Sequence, residues 1–341
     1  MELQQLHQAD SNLFVGFAES RIGGRSENQD TYGFKQTEFG YIITVCDGMG
    51  GGPAGKTASV IAVQEIVAGI EEASRDNETS NILKQAILRA NLAILEAGNE
   101  NPALKGMGST ATVLLLTERS AFVAHVGDSR VYQLRGGRKV FRTFDHSMVF
   151  DLVRQGVITE EQARLSAQSN IITRALGIQP DVQVDVAELP YEKGDRFVLC
   201  SDGIHGIMPE KELIHRLSNR KSVLGAVVDD IATYVDNLGH MSGGGHDNLT
   251  LAVVETKNNS KLKPKMSKQV RITLMCLAAV CIISIILNIV QATGKCSHAS
   301  VALPADSSLT AWVAAQQDTI KSLAERVDSL TKQLNEKPQN P

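Results

Sequence analysis

Residues 41–48 read YIITVCDG, residues 122–129 FVAHVGDS and residues 196–203 RFVLCSDG. Each drives a short, β-branched apolar run straight into an aspartate, so Asp47, Asp128 and Asp202 fall at the C-terminal tips of strands. In HDNLTLAVV, residues 246–254, the order reverses and Asp247 stands just before the strand. An antiparallel neighbour brings one strand's start beside another's end, so all four carboxylates can gather on one rim. A single strand-end aspartate is more often a turn former or helix cap. Four in matching contexts argue for a shared site. Crowded carboxylates repel one another and require neutralising cations or separated titrations. Hard divalent ions are the simplest solution, and all-oxygen ligation favours Mg2+ or Mn2+, since no histidine or cysteine cluster is visible to supply the donors zinc prefers.

Glycines crowd the same places: Gly48, Gly50, Gly51, Gly52 and Gly55 follow Asp47, Gly203 follows Asp202, and Gly243 to Gly245 precede Asp247. A backbone that turns sharply round an ion, or offers it a carbonyl, favours residues without a Cβ. The run GMGGGPAG does not fit the phosphate-cradling pattern GxxxxGK[ST], which excludes a nucleotide loop of that type.

Further out, strands (Tyr41–Val45, Thr112–Leu116, Phe122–Val126, Phe197–Leu199, Leu249–Val253) alternate with helical stretches (Val60–Ile70, Asn81–Ala97) without a fixed repeat. One mixed α and β domain over residues 10–256 is expected. The chain has 341 residues, 43% of them hydrophobic, enough for a sizeable core, and a formal charge of −4 with no coherent basic face over the first 255 residues, so nucleic acid is not an expected partner. Five cysteines without metal or disulfide spacing suit a reducing compartment. The first residues, MELQQLHQADSNLFVG, lack the features of a secretory signal, which places the domain in the cytoplasm.

After residue 256 the composition changes. A basic juxtamembrane linker, 257–271, carries Lys257, Lys261, Lys263, Lys265, Lys268 and Arg271. Residues 272–290 form an uncharged apolar run that as a helix spans about 28 Å, close to a bilayer core. A single transmembrane helix is expected, in the inner or plasma membrane, with the preceding domain cytoplasmic and the tail, 291–341, outside by the positive-inside rule. The linker also suits anionic lipid headgroups. In the tail, Ile320, Leu323, Val327, Leu330 and Leu334 alternate spacings of three and four, which fits a short coiled coil, a lone amphipathic helix or a frayed tail.

RSENQD, VCDGMGG, GMGSTAT, VGDSRVY, TFDHS, NIITRALG, CSDGI and GGGHDNLT follow one another in an order similar to that of the metal-dependent type 2C protein phosphatases, bacterial branch, over roughly residues 12–255. The resemblance implies a four-layer α-β-β-α sandwich of two antiparallel sheets, an α+β fold, with two Mn2+ or Mg2+ ions and a third on one edge. By position Asp47 would bridge two metals, the Gly48 carbonyl would complete one shell, and Asp202 with Asp247 would hold the other. Asp30 would contribute through water or from outside, Asp128 with Asp202 would hold the third ion, and Arg25 would grip the substrate phosphate with its planar fork. The reaction implied is hydrolysis of phosphoserine and phosphothreonine in proteins by a metal-activated water, opposing a cognate Ser/Thr kinase. An adaptor with weak activity, or a membrane sensor, are the alternatives; the former should have lost metal aspartates, and Asp47, Asp202 and Asp247 are present. Two departures concern the site: Met49 stands where eukaryotic relatives carry a proton-donating histidine, and Gln29 replaces a common glutamate. His146, His205 and His246 near these motifs are expected to be ordinary structural or surface histidines. Residues 145–175 correspond to the family's mobile flap.

Overall fold

The computed structural model describes residues 7–51, 53–262, 280 and 282–285. In chain order the strands are β1 (His7–Asp10), β2 (Phe14–Arg21), β3 (Thr31–Thr37), β4 (Gly40–Cys46), β5 (Gly48–Met49), β6 (Gly108–Ser109), β7 (Ala111–Leu116), β8 (Ala121–Val126), β9 (Arg130–Arg135), β10 (Arg138–Arg142), β11 (Asp185–Leu189), β12 (Arg196–Cys200) and β13 (Leu249–Thr256). The helices are α1 (Pro53–Glu71), α2 (Thr79–Glu100), α3 (Met148–Arg154), α4 (Glu160–Arg164), α5 (Asp202–His205), α6 (Glu210–Leu217) and α7 (Leu224–Met241).

Two antiparallel sheets result, one in the order β1-β2-β13-β12-β9-β10 and one in the order β11-β8-β7-β4-β3, with β5 and β6 as a separate ribbon. The central strands read as continuous apolar runs because both of their faces are buried. In β4, Ile42 and Cys46 pack with Ala58, Ala62 and Ile66 of α1, while Ile43 and Val45 point the other way into the core between the sheets. In β12, Val198 and Cys200 pack with Val228 and Ile231 of α7, while Phe197 and Leu199 join the inter-sheet core. Period-two alternation thus builds three apolar layers between four structural ones, and the sandwich expected from the motif order is the observed fold.

Antiparallel pairing places the site. In one sheet Thr31 pairs with Cys46, so Asp30 before β3 lies beside Asp47 after β4. In the other, Cys200 pairs with both Leu251 and Arg130, so Asp202 after β12 lies between Asp247 before β13 and Asp128 before β9. Both sheets end on the same rim.

The 145–175 segment forms α3, capped by Ser147, and α4, closed by a capping box of Thr159 and Gln162. Its two ends are tied together where Ser147 pairs with Ile172, and Val149, Phe150 and Ala163 form its own small core.

No helix among the described residues is long and apolar enough to cross a membrane. Of the expected span 272–290, Val280 and residues 282–285 are described; they are helical, and their apolar side chains are about half exposed. The rest of that span, residues 263–271 of the linker and the tail with its coiled-coil pattern lie outside the described residues.

Candidate metal centre

A cavity of about 410 Å3 opens on the rim, lined by Asp47, Asp128, Asp202 and Asp247 together with Gly48 and Met49. Asp30 is buried behind them. All five aspartates singled out in the sequence therefore converge. Their carboxyls behave accordingly: Asp47 and Asp128 are pushed well above the ordinary carboxylate range by desolvation and then by the neighbouring carboxylates. Asp202 is raised to about 6 and Asp30 to about 7, again by desolvation first and the surrounding aspartates second. Asp30 Oδ2 accepts from Ser201 Oγ at 2.8 Å, but Asp30 Oδ1 and Asp202 Oδ1 are buried without a hydrogen-bond partner. A buried carboxylate oxygen can be satisfied only by a donor or a cation. Crowding, orphaned oxygens and the all-oxygen donor set fit divalent Mg2+ or Mn2+.

The main chain holds these side chains rigidly. The Asp47 amide donates to Thr110 Oγ1 at 2.9 Å, and its carbonyl accepts from the Thr110 amide at 2.8 Å. Gly48 lies in the β5–β6 ribbon, where a Cβ would fall 2.0 Å from the Gly55 carbonyl oxygen, so only glycine lets its backbone turn into the cavity. Gly203 is under the same constraint from the carbonyl of Asn248.

Arg25 sits half-exposed on the rim, donating to Asp247 Oδ2 at 2.7 Å. Sequence reasoning missed what positions it. Asn248 donates through Nδ2 to the carbonyls of Ile22 and Glu27, at 2.8 and 2.9 Å, and accepts the Gln29 amide at Oδ1, stapling the loop that carries Arg25. The only signal was its place next to Asp247. Arg130 was missed too: it holds Asp145 by two hydrogen bonds, of 2.7 and 2.6 Å, in a buried pair at the start of the 145–175 segment. That segment contributes Asn170 and Ile172 to the cavity. It also contributes Phe150 and Arg164 to an adjoining cavity of about 310 Å3 that shares Arg25, Asp128 and Asp202. A larger cavity, about 780 Å3, lies elsewhere, against α6 and α7, and has no such carboxylate convergence.

Of the two expected alternatives, structural or surface, the histidines take the structural one: His146 and His205 are buried, and the His246 side chain is 6% exposed. Burial holds His205 well below its ordinary range, so the ring hydrogen-bonded to the Asp128 carbonyl at 3.1 Å is neutral. The expectation that no histidine cluster exists fails. His125, His146 and Asp185 come together, as do Asp236, His240 and His246, each group with ligand atoms within 4.8 Å.

The profile of the family described as Protein phosphatase 2C matches residues 19–243. "Serine/threonine phosphatase stp" of Listeria welshimeri is 34% identical over 235 residues, covering 68% of this chain and 91% of that protein. The crystal structure of serine/threonine phosphatase Stp1 from Staphylococcus aureus superposes with a TM-score of 0.65 at 27% identity, covering 75% of this chain and 99% of that one. The catalytic domain of the serine/threonine protein phosphatase PstP, solved with 2 manganese ions, matches with a TM-score of 0.58 at 29% identity, covering 72% and 99%.

Proposed function

The chain belongs to the protein phosphatase 2C family and is a serine/threonine protein phosphatase, and we propose that its acidic cavity carries out the hydrolysis with two Mn2+ or Mg2+ ions, and a third beside Asp128. The observation that carries this reading is the convergence of five aspartates from both sheets with Asp30 Oδ1 and Asp202 Oδ1 buried and unpartnered. Asp47 and the Gly48 carbonyl, together with Asp202 and Asp247, would hold two of the ions, Asp30 would support them from behind, and Asp128 with Asp202 would hold the third. Bound divalent ions lower the pKa of water to the range of a nucleophile and offset charge on phosphoryl oxygens. Arg25 orients the phosphate: its fork borders the cavity, and its bond to Asp247 holds it there. Met49 lines the cavity but cannot donate a proton. His205, held neutral, is not an acid in its place. Retention of every metal aspartate supports an active enzyme over an adaptor.

Residues 272–290 anchor the chain as one transmembrane helix, with the phosphatase domain on the cytoplasmic side and phosphoproteins, modified by a cognate Ser/Thr kinase, as substrates. The uncharged apolar run and its basic flank support this.

The test is a manganese-dependent phosphopeptide assay on the full chain. Asp47→Ala and Asp247→Ala should fall to background turnover and keep wild-type circular dichroism, because relief of carboxylate crowding offsets part of the lost metal stabilisation. Mutants with half the wild-type rate would refute the ligand assignment.

A further inference from the structure

Asp236 and His240 stand four residues apart on α7, so they share one face of the helix. The chain leaves α7, turns through Gly243, Gly244 and Gly245, and returns His246 to that face. His246 Nε2 lies 2.8 Å from Asp236 Oδ1, and His240 Nε2 lies 3.6 Å from the same oxygen. The two imidazoles meet edge to face, 4.8 Å between centroids and 85° between planes. Two ring nitrogens thus converge on one carboxylate oxygen. Zinc–nitrogen bonds of about 2.0–2.1 Å put tetrahedral ligand atoms roughly 3.3 Å apart, a separation that lies between the observed 2.8 and 3.6 Å.

Two further observations point to a cation. First, the His246 ring rests on the backbone of α7 at Gly239, where a Cβ would come within 2.2 Å of the ring's Cγ. A glycine inside a helix costs about 1 kcal/mol relative to alanine, and here it provides the seat that holds His246 against Asp236. The ring is 6% exposed and turns its Nε2 toward Asp236. Second, the local charge is unbalanced. Arg21 pairs with Glu19 at 2.5 Å, Asp229 at 3.0 Å and Asp236 at 3.8 Å, so one guanidinium is shared among three carboxylates. Glu19 Oε2 is buried without a partner.

We propose that Asp236, His240 and His246 form a transition-metal site, distinct from the acidic cavity, that takes Zn2+ in preference to Mg2+. Two imidazoles and one carboxylate suit a borderline ion rather than a hard one, and a divalent charge balances the Arg21 cluster. Water completes the shell on the open side, where the His240 side chain is 59% exposed. An ion there ties His246, the immediate neighbour of Asp247, to α7 and so fixes the glycine turn. The other histidine group is a poorer candidate. His125 and His146 stack 4.5 Å apart at 20°, so their ring-nitrogen lone pairs lie in nearly parallel planes, and the Arg174 guanidinium is already 3.2 Å from His146 Nε2.

The test titrates the full chain with Zn2+, read by competition with a chromophoric chelator, and with Co2+, read by its visible d–d band, both in excess Mg2+ to fill the acidic cavity. One equivalent should bind in the wild type and in Asp47→Ala. His240→Ala should bind at least about tenfold more weakly, since even supporting residues of metal sites are worth 10–100-fold, and His240→Cys, which restores a donor, should recover the affinity. Zn2+ should raise the melting temperature of the wild type and not of His240→Ala. No Zn2+ binding over Mg2+, unchanged affinity in His240→Ala, or loss of the equivalent in Asp47→Ala would overturn the proposal.

Discussion

His146 lies where the 145–175 segment leaves the sheets: its amide donates to the Gly127 carbonyl at 3.0 Å, and its Nδ1 accepts the Gly127 amide at 3.1 Å. Burial, followed by the neighbouring His125 and Arg174, pushes the ring down to about 4, and it is 2% exposed. The folded protein therefore keeps this imidazole neutral where the unfolded chain would take a proton near its ordinary 6.5. Above that pH neither state binds the proton and nothing is lost. As pH falls from 6.5 towards 4 the unfolded state gains a proton that the folded state refuses, and stability falls; below about 4 the loss is complete. Its full size is at most about 3 kcal/mol, from 1.36 kcal/mol per pKa unit. His146→Asn keeps an acceptor near the Nδ1 position and removes the titration, so its urea midpoint should fall less steeply than the wild type's across this window. Parallel pH profiles would exclude His146 as the source. None of this was legible in the sequence, where His146 is one residue of a TFDHS motif. Of its partners, His125 comes from β8 and Asp185 from β11, and those two meet only because the strands pair.

At the scale of elements, the aspartates were legible because each adjoins its own strand, and strand pairing does the rest. The cross-strand staples were not, because Thr110, Ser201 and Asn248 act on partners 63, 171 and 219 residues away. Gly203 shows how tightly the strand ends are set. A Cβ there would sit 2.0 Å from the Asn248 carbonyl oxygen, a backbone atom that cannot swing aside. Gly203→Ala must therefore push the end of β12 from the start of β13, moving Asp202 and Asp247 apart and loosening Asn248, which holds the Arg25 loop. Overpacking of this kind costs typically 1–3 kcal/mol, and a loss of about that size is expected. The Mn2+ concentration for half-maximal activity should rise with it. Gly51→Ala is the matched control, since nothing lies within 4 Å of its added methyl. If Gly203→Ala kept wild-type melting temperature and manganese dependence, the close approach would not be what positions the ligands.

For the whole molecule, the proposed membrane anchor and its orientation are open to a direct test. The described residues between 7 and 256 need no membrane to account for their burial, since three apolar layers are closed within the sandwich. Residues 282–285 behave differently: Ile282, Ile283 and Ile285 are 58%, 51% and 58% exposed on a helix, in a run that carries no charge from 272 to 290. Leaving such side chains in water forfeits the transfer free energy that a bilayer supplies, about 1.5–3 kcal/mol for each large aliphatic residue. Six basic residues between 257 and 271, against Lys295 alone just after the run, favour keeping the preceding side cytoplasmic. A protease added outside intact cells should then remove only sequence from 291–341, leaving a membrane-bound fragment that retains the phosphatase domain and its activity. The same protease added to everted vesicles should release the domain by cutting in the 257–271 linker. Release of the domain from intact cells would reverse the orientation. Recovery of the undigested chain in the soluble fraction would remove the anchor altogether.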